Sequence, residues 1–518
     1  MSSPSLPANP LQGRDAARAR AIGVVAARRL QAEERGWVPW TAPERESFFA
    51  AIARHRRASW RITYACAFAI AVLTVVVAVL LSPLLICLVG LLVDVVNLIV
   101  PVPNVLGASL DYVDSMVNGD KFTYTRLAET TAIAVIPGLI LMGGVVLALN
   151  RALKRSPLFD AGELPGRVPT RAVLAEQRLA NVVEEMALAA SIPPPNVRII
   201  PGGINAAVFG RDEAHTTIVV GEGLLTSLAR GEMQGAIAHL IGSIAGGDMP
   251  IGLRAAVTFS LFGLLARSSA ILGDRQEFYS VGRILRTLMW PTRAGTEQLI
   301  HDLADPFRPA QETTPAARPK PPAKQPNRRD KTNQLTWREW AMMPLMGPVF
   351  LSGFLSGLVS TFLLNPLVSF AWRRRKYMAD AAAVRLTRDP DTLAQALHKI
   401  IEQGWTRLHA WTMHMAIAQS GPPGAGGLFG GSIVSIFPST VRRYKALGRL
   451  GATLQPITQE RPALPLPAAA LIGALATIAG GLLVVAVGLL MYMSAAISLL
   501  FTVPPLALVH LLLRWIGH

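Results

Sequence analysis

The forty residues from Arg61 to Val100, RITYACAFAIAVLTVVVAVLLSPLLICLVGLLVDVVNLIV, constrain this chain more than any others. The run is about twice the ~20 apolar residues that carry a helix across a bilayer, and after Arg61 its only charged residue is Asp94. It reads either as a hairpin or as one long helix. Ser82-Pro83 makes a poor aqueous turn, and Asp94 and Asn97 make the second half less lipid-like. A single crossing that continues into a packed or interfacial portion is therefore expected. A second span is expected near 129–149, a third apolar run covers 342–372, and a C-terminal hairpin covers 466–491 and 494–514. Residues 255–273 are short for a span and contain Arg267, which makes their crossing doubtful. With 51% hydrophobic and only 16% charged residues, the excess apolar surface calls for lipid, and five or six membrane segments are expected.

The formal charge of +17 could suggest nucleic acid. The basic residues instead collect beside the apolar runs: Arg54, Arg56, Arg57 and Arg61 precede the first, and Arg373 to Lys376 follow a later one. No basic patch interleaved with aromatics and no nucleic-acid motif accompanies them, so no nucleic-acid partner is expected. The loop after the first run carries Asp111, Asp114 and Asp120, whereas the second span ends in Arg151, Lys154 and Arg155. This asymmetry places the N-terminus and the segment after 151 in the cytoplasm. The N-terminal arm has no apolar stretch resembling a cleavable signal. Cys66 and Cys87 both lie inside an apolar run, so neither a disulfide framework nor a cysteine metal motif can be built.

The organisation expected is a basic cytoplasmic arm (1–61), transmembrane segments with an outside loop (62–150) and the first part of a soluble domain (151–250). Membrane segments (251–372) follow with a Pro/Lys-rich insertion (309–333), then the second part of the soluble domain (373–460) and a transmembrane hairpin (461–518). Within the soluble parts, RAVLAEQRLANVVEEMALAASI and GEMQGAIAHLIGSIA read as helices, and VRII and TTIVV as strands. RRRKYMADAAAVRLTRDPDTLAQALHKII reads as an amphipathic helical region. The Gly-rich stretch 421–431 has no following Lys-Ser/Thr, so it is not a phosphate loop.

Several stretches in order carry a family resemblance. They are EQRLANVVEEMALAASIPPPNVRIIPGGINAAVFG, TTIVVGEGLLTSLARGEMQGAIAHLIGSIAGGDM, RRRKYMADAAAVRLTRDPDTLAQALHKI, HMAIAQS and FPSTVRRYKALGRLG. Together they cover about half the chain and resemble the HtpX-like membrane zinc metallopeptidases, relatives of the CAAX prenyl protease. The resemblance implies an α-helical polytopic protein of the bacterial inner membrane with an α+β gluzincin-like cytoplasmic domain. It also implies a zinc ion held by H-E-x-x-H on a helix and by a glutamate in a later E-x-x-x-D motif. Two histidines at i and i+4 face one way and share the metal, and the glutamate between them takes a proton from metal-bound water.

Carried over residue by residue, the resemblance leaves His239 in the first ligand position. Leu240 stands in the general-base position, Ser243 in the second ligand position and Lys376 in the third. Asp380 matches the aspartate of the later motif, which resembles a partner to a ligand histidine, and Asp248, Asn205 and His414 match further family positions. Leucine cannot accept a proton, and one imidazole with a hydroxyl is a poor zinc donor set. An ammonium repels the metal: at ~4 Å and an effective dielectric of ~20, unit charges interact by about 4 kcal/mol, and a dication doubles that. No catalytic residue, no metal and no cofactor are therefore expected. His239 would be a buried histidine satisfied by Asp380 or a carbonyl. Lys376 would either continue the membrane-flanking run Arg373 to Arg375 or face Asp248 or Asp380 as a monovalent stand-in for the metal.

The reading that results is a catalytically inactive HtpX-like pseudopeptidase, a regulator or scaffold in membrane-protein quality control. Its expected partners are the lipid bilayer, membrane proteases and unfolded membrane polypeptides, the latter docking by strand addition with TTIVV as the candidate edge strand. The alternative is an active zinc metalloendopeptidase with an unconventional site, for instance one pairing His239 with His414. A third reading puts the function in the basic arm or the Pro-rich insertion.

Overall fold

The computed structural model describes residues 37–39, 44–97, 100, 124–155, 166–270, 275–290, 292, 295, 348–357, 359, 363–403, 415–418, 436–456, 508, 511 and 512. His414, the insertion 309–333, the Gly-rich stretch 421–431 and the acidic loop with Asp111 lie outside these residues, as does the C-terminal hairpin apart from Leu508, Leu511 and Leu512. The chain divides into two compact units that interleave along the sequence. One comprises Met1–Ile62, Ala161–Pro250 and Ser369–Ala463, the other Thr63–Asp160, Ile251–Val368 and Leu464–His518.

In the second unit the long apolar run is not a hairpin. Helix α1 (Phe48–Asn97) continues without a break through Pro83. Helix α2 (Tyr124–Lys154) packs on it where side chains are smallest: Ser82 Oγ donates to the Ala78 carbonyl (2.8 Å) and accepts from the Gly138 amide (2.9 Å). A Cβ on Gly138 would strike the backbone of Ala78, so glycine is required for this close approach. Three described helices are long and apolar enough to cross a membrane: α1, Val135–Lys154 of α2 and Asp248–Ser268. The last lies in helix α6 (Asp248–Ala270), which begins seven residues before the apolar run noted in the sequence and so reaches spanning length despite Arg267. A shorter apolar helix covers Pro348–Gly357.

The first unit is built on a three-stranded sheet. Strands β2 (Asn196–Ile200) and β4 (Thr216–Gly221) pair in parallel, and β3 (Ala206–Gly210) pairs with β4 antiparallel, giving the order β2-β4-β3. The expectation that TTIVV forms an edge is therefore wrong: β4 is the central strand. The reason is burial, since every β4 position is covered, including Thr216 and Thr217, and a continuous β-branched run suits a strand covered on both faces. A fourth short strand, β1 (Trp37–Pro39), pairs with a fifth, β5 (Leu454–Pro456).

Helices cover the sheet. Helix α3 (Leu174–Ala190) turns Leu179, Val182, Val183 and Met186 inward. After the short α4 (Glu222–Ser227), helix α5 (Arg230–Ala245) is buried over almost its whole surface between α3 and helix α9 (Pro390–Gln403). Met233, Ala236, Ile237, Leu240, Ile241 and Ile244 of α5 all belong to one core cluster with Leu393 and Leu397 of α9. Helices α8 (Asn365–Thr387) and α10 (Thr440–Arg449) complete the unit. Between α6 and α8 the second unit adds helix α7 (Arg275–Met289), which packs on α2.

Candidate functional site

Helix α5 carries His239, Leu240 and Ser243, and α8 carries Arg375, Lys376 and Asp380. Small residues let the two helices approach. A Cβ built on Gly242 would lie 2.8 Å from Ala382 Cβ and 3.2 Å from the Ala379 carbonyl, and Gly246 sits against Met378. This contact brings Asp380 to His239, whose Nδ1 lies 2.8 Å from Asp380 Oδ1. That distance suits a hydrogen bond from the ring to the carboxylate, and Nε2 has no hydrogen-bond partner among the described residues. Burial pushes His239 down to about 4 against the pull of Asp380, with Lys376 and Arg443 adding to the depression. The imidazole is thus neutral near pH 7. Ser243, one turn along the same face, is buried, and its hydroxyl also lacks a hydrogen-bond partner among the described residues. Leu240 is fully buried in the core.

Asp380 is shared. Arg443 of α10 grips it through Nη2 to Oδ1 (2.6 Å) and Nε to Oδ2 (2.9 Å). Burial alone would raise the carboxyl, but Arg443 and His239 beside it reverse that and hold it well below the usual carboxylate range. Asp248 opens α6 and is taken by Arg375 Nε, while Arg375 Nη2 donates to the Gly246 carbonyl (2.6 Å).

Lys376 is buried within reach of Asp248 and Asp380, as one of the two sequence expectations has it, but its hydrogen bond goes elsewhere. It is not a membrane-flanking base, being only 2% exposed, and its ammonium donates to the carbonyl of Ala416 at 2.5 Å while each nearby carboxylate is taken by an arginine. Its Nζ also lies 5.7 Å from the centre of the Phe437 ring. Burial lowers it to about 8, Arg443 adds to this, and Asp248 and Asp380 partly offset it. The buried cluster therefore sets three cationic heads (Arg375, Lys376, Arg443) against two carboxylates (Asp248, Asp380), with a neutral histidine.

The segment Met415–Ala418 converges on the same place. Ala416 bridges Ala207 of β3, and the Ile417 amide donates to the Ala206 carbonyl (3.0 Å). Asn205 Nδ2 donates to the Ala418 carbonyl (2.8 Å), and Arg443 Nη1 to that of Ile417 (2.8 Å). These four residues thus lie along the outer edge of β3, fastened by Asn205, Lys376 and Arg443. The opposite edge of the sheet is met at Ile199 of β2 by Arg167, through two backbone bonds of 2.8 and 3.0 Å. The sequence reading had Asn205, Asp380 and Lys376 but missed Arg443 and Arg375, which sit in basic runs where nothing local separates a buried arginine from its exposed neighbours. The structure brings together His239, Ser243, Lys376, Asp380, Asp248 and Asn205; His414 lies outside the described residues.

As a donor set for zinc, one neutral imidazole, one hydroxyl and a buried ammonium do not fit. Among the described residues no group of three or more His, Cys, Asp or Glu side chains is placed to hold a metal ion.

Residues 174–312 match Peptidase family M48. The chain is 31% identical over 226 residues to a protein named Protease HtpX homolog from Dictyoglomus turgidum, covering 43% of this chain and 53% of that protein. It is 35% identical over 170 residues to the Protease HtpX homolog of Pyrococcus furiosus (30% of this chain, 59% of that protein). It is 27% identical over 281 residues to that of Streptococcus uberis (52% and 76%). The first of these matches spans about half the length of the relative. No solved structure matches the chain. The M48 match lies over the helix of His239 and the matching relatives share one name, so this region of the chain is that of an HtpX-like M48 peptidase.

Proposed function

We propose that this chain is a catalytically inactive, membrane-embedded HtpX-like pseudopeptidase that acts as a regulator or scaffold in membrane-protein quality control. The observation that carries the reading is the Lys376 ammonium, buried in the third-ligand position and held by the Ala416 carbonyl. A fixed positive charge there opposes a dication, Ser243 offers no second imidazole, and Leu240 cannot accept a proton from water. The three span-length helices support a multi-pass protein of the bacterial inner membrane with its N-terminus and the first unit on the cytoplasmic side.

The candidate partners are membrane proteases and unfolded membrane polypeptides. Strand addition at TTIVV is withdrawn, because β4 is central. An extended polypeptide would have to displace Met415–Ala418 from β3 or the Arg167 bridge from β2, so a binding role favours surfaces other than the sheet edges.

The test is metal analysis of the purified full chain together with a cleavage assay on an unfolded membrane protein. Substoichiometric zinc and no chelator-sensitive cleavage are expected. Stoichiometric zinc that disappears in His239→Ala, with cleavage abolished by chelator, would establish the active metallopeptidase instead.

A further inference from the structure

Helix α7 (Arg275–Met289) was not legible in the sequence as a distinct element, and no role described above uses it. It packs on α2, and Val281, Ile284 and Thr287 along one side of it are buried. The burial stops short of the rest of the apolar side. Leu285 and Met289, one turn apart beside Val281, remain 43% and 65% exposed. Arg283 and Arg286 lie exposed on the other side of the helix, and Tyr279 and Trp290 near its two ends are 70% and 69% exposed.

We infer that α7 lies in the plane of the membrane surface, with Leu285 and Met289 entering the acyl boundary and Arg283 and Arg286 binding anionic lipid headgroups. Three features select lipid as the occupant. The helix rests on α2, itself long and apolar enough to span, so the medium that covers α2 reaches α7. Arg283 and Arg286, both exposed on the side away from Val281 and Ile284, complement phosphates. Tyrosine and tryptophan suit the headgroup level, where an apolar ring and a polar edge are both satisfied. A protein partner fits less well, because one side of a four-turn helix offers far less than the ~800 Å² per partner of a stable interface.

The inference rests on the membrane-embedded reading, and the experiment separates the two. The full chain, with Cys66→Ser and Cys87→Ser, is placed in nanodiscs of phosphatidylcholine with or without phosphatidylglycerol, and nitroxides are attached one at a time at Ile140→Cys, Leu285→Cys, Met289→Cys and Arg283→Cys. Ile140, on α2 and 70% exposed, reports whether the span is in lipid at all. Deep oxygen access at 140, shallow oxygen access at 285 and 289, and access of a water-soluble nickel complex at 283 are expected. In R283E/R286E the label at 289 is expected to lose at least half of its oxygen-over-nickel preference in the anionic nanodisc. Lipid contact at 140 with aqueous access at 285 and 289 overturns the in-plane helix alone. Aqueous access at 140 overturns the membrane reading beneath it. Labels at 285 and 289 shielded from both reagents would mean a protein covers the face, and an unchanged 289 signal in the double variant would overturn the anionic-headgroup contact.

Discussion

Lys376 and Ala416, forty residues apart in the chain, are joined by a 2.5 Å hydrogen bond from a buried ammonium to a backbone carbonyl. The lysine fastens a short segment of the chain to the edge of β3. Removing the side chain thus has two opposed consequences: a charged hydrogen bond of about 1.5–3 kcal/mol is lost, and an uncompensated buried cation is relieved.

Lys376→Met is therefore expected to change global stability little while loosening Met415–Ala418. Amide exchange of the Ile417 N–H, which bonds to Ala206, should accelerate by roughly tenfold, corresponding to about 1.4 kcal/mol. Hydrogen-exchange mass spectrometry of peptides covering 415–418 reads this directly. Unchanged protection there, with the chain still folded, would show that Lys376 does not hold the segment.

Asp380→Asn removes the carboxylate that Arg443 and His239 share. A bidentate buried guanidinium left without its anion is expected to cost about 3–5 kcal/mol, close to the whole stability of many domains. Thermal unfolding in detergent should show a large loss. Asp380→Asn combined with Arg443→Met is expected to recover part of it, because the stranded charge is removed with its partner.

His239 and Asp380 give the first unit an acid limit. The folded His239 is held down at about 4 while the unfolded residue titrates near ~6.5, so the unfolded chain binds the extra proton between these values. The folded pKa of Asp380 is also depressed, which gives stability above the unfolded value that is lost as pH falls. Both act in the same direction: stability should decline from about pH 6.5 downward, with His239 contributing at most roughly 3 kcal/mol. Unfolding followed against pH should show a shallower decline in His239→Gln than in the parent chain, and an identical slope would remove His239 from the explanation.

Supplying donors at Ser243 and Lys376 tests the metal argument from the other side. Ser243→His with Lys376→Glu supplies a second imidazole and a carboxylate and removes the opposing charge, so zinc affinity is expected to rise at least a hundredfold over the parent chain, about 2.7 kcal/mol. Competition with a chromogenic chelator measures it. Adding Leu240→Glu should give cleavage only if the buried carboxylate is tolerated, since Leu240 belongs to the packed core.

Much of the fold follows local rules. The run from Phe48 to Asn97 is one continuous apolar helix through Pro83, and Ser82 beside that proline joins it to Gly138 of α2. The helices around Leu179 and Ile237 follow from apolar spacing, and β2 and β4 from their β-branched runs. Strand β3 was missed because AAVFG is short and has no alternation. Its register comes from pairing with β4 rather than from its own composition.

The amino-acid sequence by itself determined the apolar helices, the order of family-like segments and the side chains standing at the positions that resemble the family's metal motif, because these depend on residue type and near spacing alone. Only the tertiary structure decided what those side chains touch. Asp380 meets Arg443 across 63 residues and Asn205 meets Ala418 across 213, and TTIVV becomes a central strand only when β2 and β3 close on both sides. Local periodicity carries no information about such pairs. Gly242 lets α5 and α8 approach, which sets His239 beside Asp380, and the buried charges, cut off from water, must be satisfied by one another.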